Sequence, residues 1–348
     1  MSDNINFTQR FYTNIVQECD GDNVIISPCA IYDLLIMLKE GAEDETKCEL
    51  EKILADGAPT PDNESIITAK LLYAYGIIQD TYAEKIKKTF NRCHLKSFND
   101  EPHNYADEIN GIIQTETNQL IKSAVTKKDL TNQRIFLAAA VYFKGLWVHS
   151  FETDEPTEFW LSRAQCVNVL MMYTENDFRI FQDEDKTQFI TMEFQGCPLS
   201  MTFILPKDVE GLPKVETNIA KRGIPFDKIR KKRKEVCTVT MPKFSLDRSY
   251  DLINVLRSMG VVTLFQSGTA NLSRMMGNTN DLFVTKCQLS SVIKVDENGI
   301  EVASVCGGCA SDYFSDNNNE ILINRPFMFV IADSNVIIFQ GRITNPLK

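Results

Sequence analysis

"ENGIEVASVCGGCASDYFSDNNNE", residues 297–320, sets 24 consecutive residues in a row with almost nothing to anchor them in a core. Both flanks read as strands: "LFVTKCQLSSVIKV" (282–295) before it and "ILINRPFMFVIA" (321–332) after it. A connection this long inside a compact fold is uncommon, and is usually either functional or disordered. The rest of the chain decides which.

Upstream, "DLINVLRSMG" (251–260) reads as a short helix closed by Gly260. "QFITMEF", "LSMTFILP" and "EVCTVTMPKFSL" are β-rich segments bounded by turn residues. "RIFLAAAVYFKGLW" (134–147) is nearly continuous apolar sequence, as expected of a strand buried on both faces. Before Arg134 the chain reads as mostly helical. "SPCAIYDLLIMLKEGA" (27–42) places Ile31, Leu34, Leu35 and Leu38 on one helical face, and "YADEINGIIQTETNQLI" (105–121) has similar periodicity. The end, "ILINRPFMFVIADSNVIIFQGRI", reads as two strands around "ADSN". The class is α+β.

Length alone suggests roughly two or three domains, but the 348 residues contain no Pro/Gly/Ser-rich linker and no repeat, so a single domain over 1–348 with 297–320 as its loop is as readily expected as a split. A net charge of −10 disfavours a nucleic-acid or membrane-surface role. One local exception is "KIRKKRK" (228–234), to be read as a solvated face or as a patch for a polyanion. The start lacks a secretory pattern, and no run approaches the ~18 apolar residues of a membrane span. Ten cysteines then read as reduced thiols, the sequons at Asn6, Asn63 and Asn271 as chance matches, and the protein as cytoplasmic, not secreted.

Signs of catalysis are missing from the sequence. His94, His103 and His149 are the only histidines, none in HExxH spacing, and GxSxG, Walker A and GxGxxG motifs are all absent. "CGGC" (306–309) lacks the second cysteine pair that a zinc site would need, and it sits in a polar loop rather than opening a helix. Cys306 and Cys309 read as incidental thiols. Neither an enzyme, a metal nor a cofactor is expected.

Five ordered landmarks resemble the serpin family along nearly the whole chain. These are "NVIISPCAIYDLLIMLKEGAEDET" (23–46), "LAAAVYFKGLW" (137–147), "SMTFILPKDVEGL", "MPKFSLDRSYDLINVLRSMGVVTLF" and "ILINRPFMFVI" (321–331). The resemblance implies eight or nine helices around three β-sheets, with 297–320 as an exposed reactive-centre loop. It also implies a suicide mechanism. A protease attacks the loop and forms an acyl-enzyme, and the cut loop enters the central sheet as a new strand and distorts the protease. The inserting hinge would be Glu297, Asn298, Gly299, Ile300, Glu301, Val302, Ala303, Ser304, Val305 and Cys306. In that register Ile300, Val302, Ser304, Cys306 and Gly308 face inward, and none is charged. About ten ladder hydrogen bonds at ~0.5–1.5 kcal/mol each, plus ~1.5–3 kcal/mol for each of Ile300 and Val302, give an upper gain of ~10–20 kcal/mol. That rivals the stability of an ordinary domain.

Departures from the family pattern are as specific. "GIEVA" replaces the usual Gly-Thr-Glu-Ala-Ala hinge, so Ile300 and Val302 are bulkier than expected and could slow insertion through overpacking. Under the opening sheet, the polar shutter becomes Ala30, Ala139 and Leu289, with Ser27 alone retained, and Trp147 takes the breach position. Among serpins the loop length resembles the poxviral intracellular members of the cytokine response modifier A type. That likeness makes Asp312–Tyr313 the bond cut and implies a host caspase or granzyme B as partner. It also implies a block on host apoptosis or inflammation, from the cytoplasm of an infected cell. A monomer without nucleic-acid or membrane partners is expected. The commoner serpin spacing shifts attack to Tyr313 or Phe314 and implies a chymotrypsin-like protease. A non-inhibitory, binding serpin is the remaining alternative.

Overall fold

The computed structural model describes residues 6–55, 57, 60–277, 282–300, 319–334 and 336–348. The chain opens with α1 (Phe7–Glu18), β1 (Val24–Ile26), α2 (Pro28–Gly41) and α3 (Asp44–Leu54). Next come β2 (Ile66–Tyr75), α4 (Asp80–Thr89), β3 (Cys93–Phe98), α5 (Ala106–Glu116), β4 (Ile135–Phe143) and β5 (Gly145–Leu146). The middle is β6 (Glu152–Ser162), β7 (Gln165–Gln182), β8 (Gln188–Glu193), β9 (Ser200–Leu205), α6 (Leu212–Arg222) and α7 (Phe226–Arg230). After β10 (Lys234–Pro242), β11 (Phe244–Asp251), α8 (Ile253–Ser258) and α9 (Ser273–Met276), the chain continues through β12 (Val284–Asp296) and β13 (Gly299–Ile300). It closes with β14 (Glu320–Leu322), β15 (Phe327–Asp333) and β16 (Val336–Ile343).

The strands form two hydrogen-bonded networks. The central sheet has the order β3-β2-β4-β12-β13-β5, with β11 also pairing β12. The second runs β1-β16-β15-β9-β8-β7-β10-β14, with β6 on β7. The three-sheet expectation meets two networks because β7, 18 residues long, pairs β6 and β10 along residues 165–179 and β8 along 179–182, joining what would otherwise be two sheets.

β4 is buried along its whole length, as its apolar run predicts. Alternation splits its side chains between two cores. Leu137, Ala139, Val141 and Phe143 join the main core, while Phe136, Ala138, Ala140 and Tyr142 face a smaller core shared with α5. α2 forms where 27–42 predicted it, with Ile31, Leu34, Leu35 and Leu38 all buried, and it packs against both β4 and β16. It therefore lies where the two sheets meet.

Three local expectations change. The end holds three strands, β14, β15 and β16, rather than two, because β14 pairs with β10 and the strand lapses over 324–326 before β15. The helix read over 105–121 ends at Glu116, because Asn118 and Gln119 adopt positive φ (50° and 67°), where a right-handed helix cannot continue. The N-terminal half also contains β2 and β3, which helical periodicity did not reveal. β2 is buried on both faces apart from Tyr75, so it carries no polar–apolar alternation to read.

Candidate functional site

The site is the head of the central sheet, where β12 leads into the expected hinge. β4 and β12 run parallel and pair directly from Val284 opposite Ile135 up to Val292 opposite Tyr142. Beyond that point the two strands part, and β13 stands between β12 and β5, antiparallel to both. Ile300 lies opposite Val295 on one side and Gly145 on the other, and Gly299 opposite Asp296 and Leu146. Ile300 is wholly buried in the main core. The described ends of the supposedly unanchored stretch are therefore tied down. The remaining hinge residues, Glu301, Val302, Ala303, Ser304, Val305 and Cys306, lie outside the described residues, as do Cys309, Asp312, Tyr313 and Phe314.

This placement alters the energetics expected of Ile300. Its burial is already present in the intact chain, so the ~1.5–3 kcal/mol assigned to it does not contribute to later insertion. In the expected register its bulk would then not obstruct the first step of insertion, because Ile300 is already seated between β12 and β5. Gly299 makes the wedge possible. Its φ is +152°, and a Cβ there would stand 2.1 Å from the Gly145 carbonyl oxygen, so no other residue fits this approach.

Trp147 and Glu297 hold the wedge. The Trp147 indole is 2% exposed and stacks on Phe194 with centroids 4.7 Å apart, and its Nε1–H donates to the Asp296 carbonyl at 3.0 Å. Backbone N–H groups of Trp147 and Phe151 donate to the carbonyls of Asn298 (2.9 Å) and Glu297 (2.8 Å). Asn298 N–H in turn donates to Asp296 Oδ1 at 3.0 Å. The Glu297 carboxylate accepts from Lys243 Nζ, at the junction of β10 and β11, and from Thr153 Oγ1 on β6. Partial burial opposes its charge, but the Lys243 and Thr153 contacts outweigh it and hold the carboxyl below the usual range. Lys243, Thr153 and Phe194 were not singled out from sequence, although Lys243 belongs to the "MPKF" block.

Deeper in the seam lie the four expected shutter residues. Leu289 on β12 and Ala139 on β4 are direct register partners, and both belong to the core under α2 that also contains Ala30. Ser27 precedes α2 and is fully buried; its hydroxyl has no hydrogen-bond partner among the described residues and does not cap the helix. The four expected shutter positions are thus three apolar side chains and one hydroxyl without a partner among the described residues. At a site the sequence did not flag, Lys70 on β2 meets Asp33 on α2 at 3.2 Å, with side chains 5% and 2% exposed. Thr68 Oγ1 accepts from Lys70 Nζ, Thr60 N–H donates to Asp33, and the ammonium stands 5.7 Å from the Phe90 ring centroid. Burial raises the Asp33 pKa despite the neighbouring Lys70.

A parallel pair of strands with a two-residue antiparallel strand at its head, joined in sequence through residues 301–319 to β14 of the second sheet, is the arrangement that defines the class of this fold. Comparison with known proteins gives that class its family. The model of the serpins, described as "Serpin (serine protease inhibitor)", matches residues 2–346, and the chain belongs to this family. Human Serpin B4 is 28% identical over 368 residues, covering 93% of this chain and 94% of its own. Leukocyte elastase inhibitor A of Mus musculus is 27% identical, covering 99% of each chain. Among solved structures, Serpin48, "a highly specific serpin in the insect Tenebrio molitor", superposes with a TM-score of 0.84 at 25% identity, over 97% of this chain and 96% of its own. These relatives are animal serpins. No helix among the described residues is long and apolar enough to cross a membrane.

Proposed function

We propose that this chain is a suicide-type protease inhibitor whose loop is cut after Asp312, with Tyr313 on the leaving side. The acyl-enzyme is then trapped as the hinge zips into the β4–β12 seam. The observation that carries this reading is the seated Ile300. An antiparallel strand two residues long already separates the head of a parallel pair, and its extension would replace one parallel ladder by two antiparallel ones. Antiparallel pairing is slightly the more stable per residue, so the exchange is downhill in ladder geometry as well as in number of bonds. Asp312 selects a protease with a cationic pocket, a caspase or granzyme B. Such a pocket leaves its own charges unpaired against a neutral side chain, a penalty of several kcal/mol. The loop length shared with poxviral intracellular serpins supports the same target and a role in the cytoplasm of an infected cell.

A second reading has specific support. The family description and the name of the mouse relative both point to serine proteases. A chymotrypsin-like enzyme would attack at Tyr313 or Phe314, whose aromatic side chains suit an apolar pocket. One experiment tests both. The protein is mixed with a caspase panel, granzyme B and chymotrypsin, then resolved on a denaturing gel, with mass spectrometry of the released fragment. A denaturant-stable complex and a new N-terminus at Tyr313 support the aspartate reading. A new N-terminus at Phe314 or Ser315 replaces it with the chymotrypsin-like one. Cleavage without any complex makes the protein a non-inhibitory serpin.

A further inference from the structure

The basic run 228–234 is absorbed by nothing described so far. It occupies the end of α7 and the turn leading into β10, and Lys228, Arg230, Lys231, Lys232, Arg233 and Lys234 are all exposed. Two of the six are engaged: Arg230 pairs with Asp227, and Lys234 with Glu193 at 2.8 Å. Lys228, Lys231, Lys232 and Arg233 have no ion-pair partner among the described residues. Four cations without an ion-pair partner among the described residues, in six positions, are a local inversion of charge on a chain carrying −10 overall.

The strand register says where this patch lies. β10 and β14 run parallel, with Thr238 opposite Glu320, and the Thr238 N–H donates to the Asn319 carbonyl at 3.0 Å. The chain therefore arrives at β14 from the end of the sheet at which β10 begins. From Thr238 back to Lys234 is about 13 Å at the usual strand rise, and these cations follow within a turn. The patch thus flanks the point where the loop rejoins the body.

We infer that Lys228, Lys231, Lys232 and Arg233 form a docking platform for an acidic surface of the protease that attacks the loop. This rests on the inhibitory reading above, and adds to it the chemistry of the partner's second contact. A protease engaged at the Asp312–Tyr313 bond is at most seven residues, roughly 25 Å of extended chain, from Glu320, and is broad enough to cover a patch this near. A long polyanion would instead run out over the acidic remainder of the surface, where it is repelled. Exposed charges at the rim of an interface act mainly on the association rate, through steering that salt screens. With a screening length of about 10 Å at 0.1 M salt, such steering fades at higher ionic strength.

The test uses the full chain and the variant Lys228→Glu/Lys231→Glu/Lys232→Glu/Arg233→Glu, with the corresponding four-fold Gln variant as a milder companion. Rates of complex formation and of loop cleavage are measured with granzyme B, a caspase panel and chymotrypsin in 50 and 300 mM NaCl. For the protease that reacts fastest, the expected result is a rate at least about 10-fold lower for the Glu variant at low salt. The Gln variant should fall between, the gap should close at high salt, and the parent should slow as salt rises. Equal rates for parent and variants at both salts, with complexes still forming, overturn the platform while leaving the inhibitory reading intact. Unchanged protease rates, together with loss in the variant of the parent's retention on immobilised heparin, also overturn it and reassign the patch to a sulfated glycan. Failure of every protease to cut the loop removes both readings.

Discussion

Leu289 on β12 and Ala139 on β4 lie directly opposite each other in the closed seam, and the register of the wedge carries one loop residue to the gap between them. Ile300 stands opposite Val295 and Gly145, and in antiparallel pairing each step forward along one strand is a step back along its neighbours. Six residues on, Cys306 reaches Leu289 on one side and Ala139 on the other. The two independently read registers agree at this point. The expected consequence is that Leu289→Cys joins Cys306 by oxidation or a short thiol cross-linker after loop cleavage, and not before. Opposite residues in such ladders have Cβ atoms about 4.5–5.5 Å apart. Peptide mapping that finds Cys306 linked to Cys287 instead would mean a two-residue shift, and no cleavage-dependent link would mean no insertion to this depth.

The Glu297 anchor gives the hinge a pH dependence. Its folded pKa is depressed, so its contribution is fully present above the unfolded value near 4.3 and is lost as pH falls through the folded value. As pH falls below about 4.3 and on through the lower folded value, the Lys243 and Thr153 contacts weaken, and the amide protons of Gly299 and Ile300 should exchange faster. Glu297→Gln should flatten that dependence and bring the faster exchange to neutral pH. Hydrogen exchange across pH 3.5–7, compared between parent and variant, checks it. A parallel pH response in both would assign the effect to another group.

The buried Asp33–Lys70 pair ties α2 to β2, so removing one partner leaves an uncompensated charge. Lys70→Ala should cost about 3–5 kcal/mol, read from a urea titration, whereas Asp33→Leu with Lys70→Met should recover most of that loss. Equal costs for the single and double variants would show that packing, not charge, dominates there.

How much of this was legible in the sequence depends on the signal each element carries. α2 announced itself through Ser27, Pro28 and four apolar residues at helical spacing, and β4 through an unbroken apolar run. β2 did not, because burial on both faces erased alternation, and Lys70 within it carries no mark of burial in the sequence. Its partner Asp33 lies 37 positions away, a pairing that only the β2–β4 ladder and the packing of α2 against both strands bring about. At the hinge the sequence named Glu297, Gly299, Ile300 and Trp147, but could not show Ile300 already seated. That outcome depends on β5, a strand of two residues with no pattern of its own.

Ser27 offers a stabilising change. Its hydroxyl is fully buried without a partner among the described residues, a situation that costs about 1–3 kcal/mol. Ser27→Ala removes the unpaired group at little loss of packing and should raise stability by about 1 kcal/mol, seen as a higher urea midpoint with an unchanged slope. A lower midpoint would reveal a polar partner for the hydroxyl.

Gly299 offers the sharpest test of the wedge itself. A Cβ at this position would lie 2.1 Å from the Gly145 carbonyl oxygen and 2.8 Å from Leu146 Cα, both backbone atoms that cannot swing aside. Its φ of +152° adds strain for any side chain. Gly299→Ala should therefore expel β13 and expose Ile300, at about 1.5–3 kcal/mol of lost burial, lowering the unfolding temperature of the intact protein by several degrees. Insertion would then start from an unseated hinge, giving an attacking protease longer to complete hydrolysis. The loop should be cut as fast as in the parent, but the products should shift from covalent complex toward cleaved protein and free protease. Ile300→Thr keeps the glycine, so the wedge can stay seated, and the partition should remain close to that of the parent. If Gly299→Ala traps as efficiently as the parent, the seated Ile300 plays no part in starting insertion.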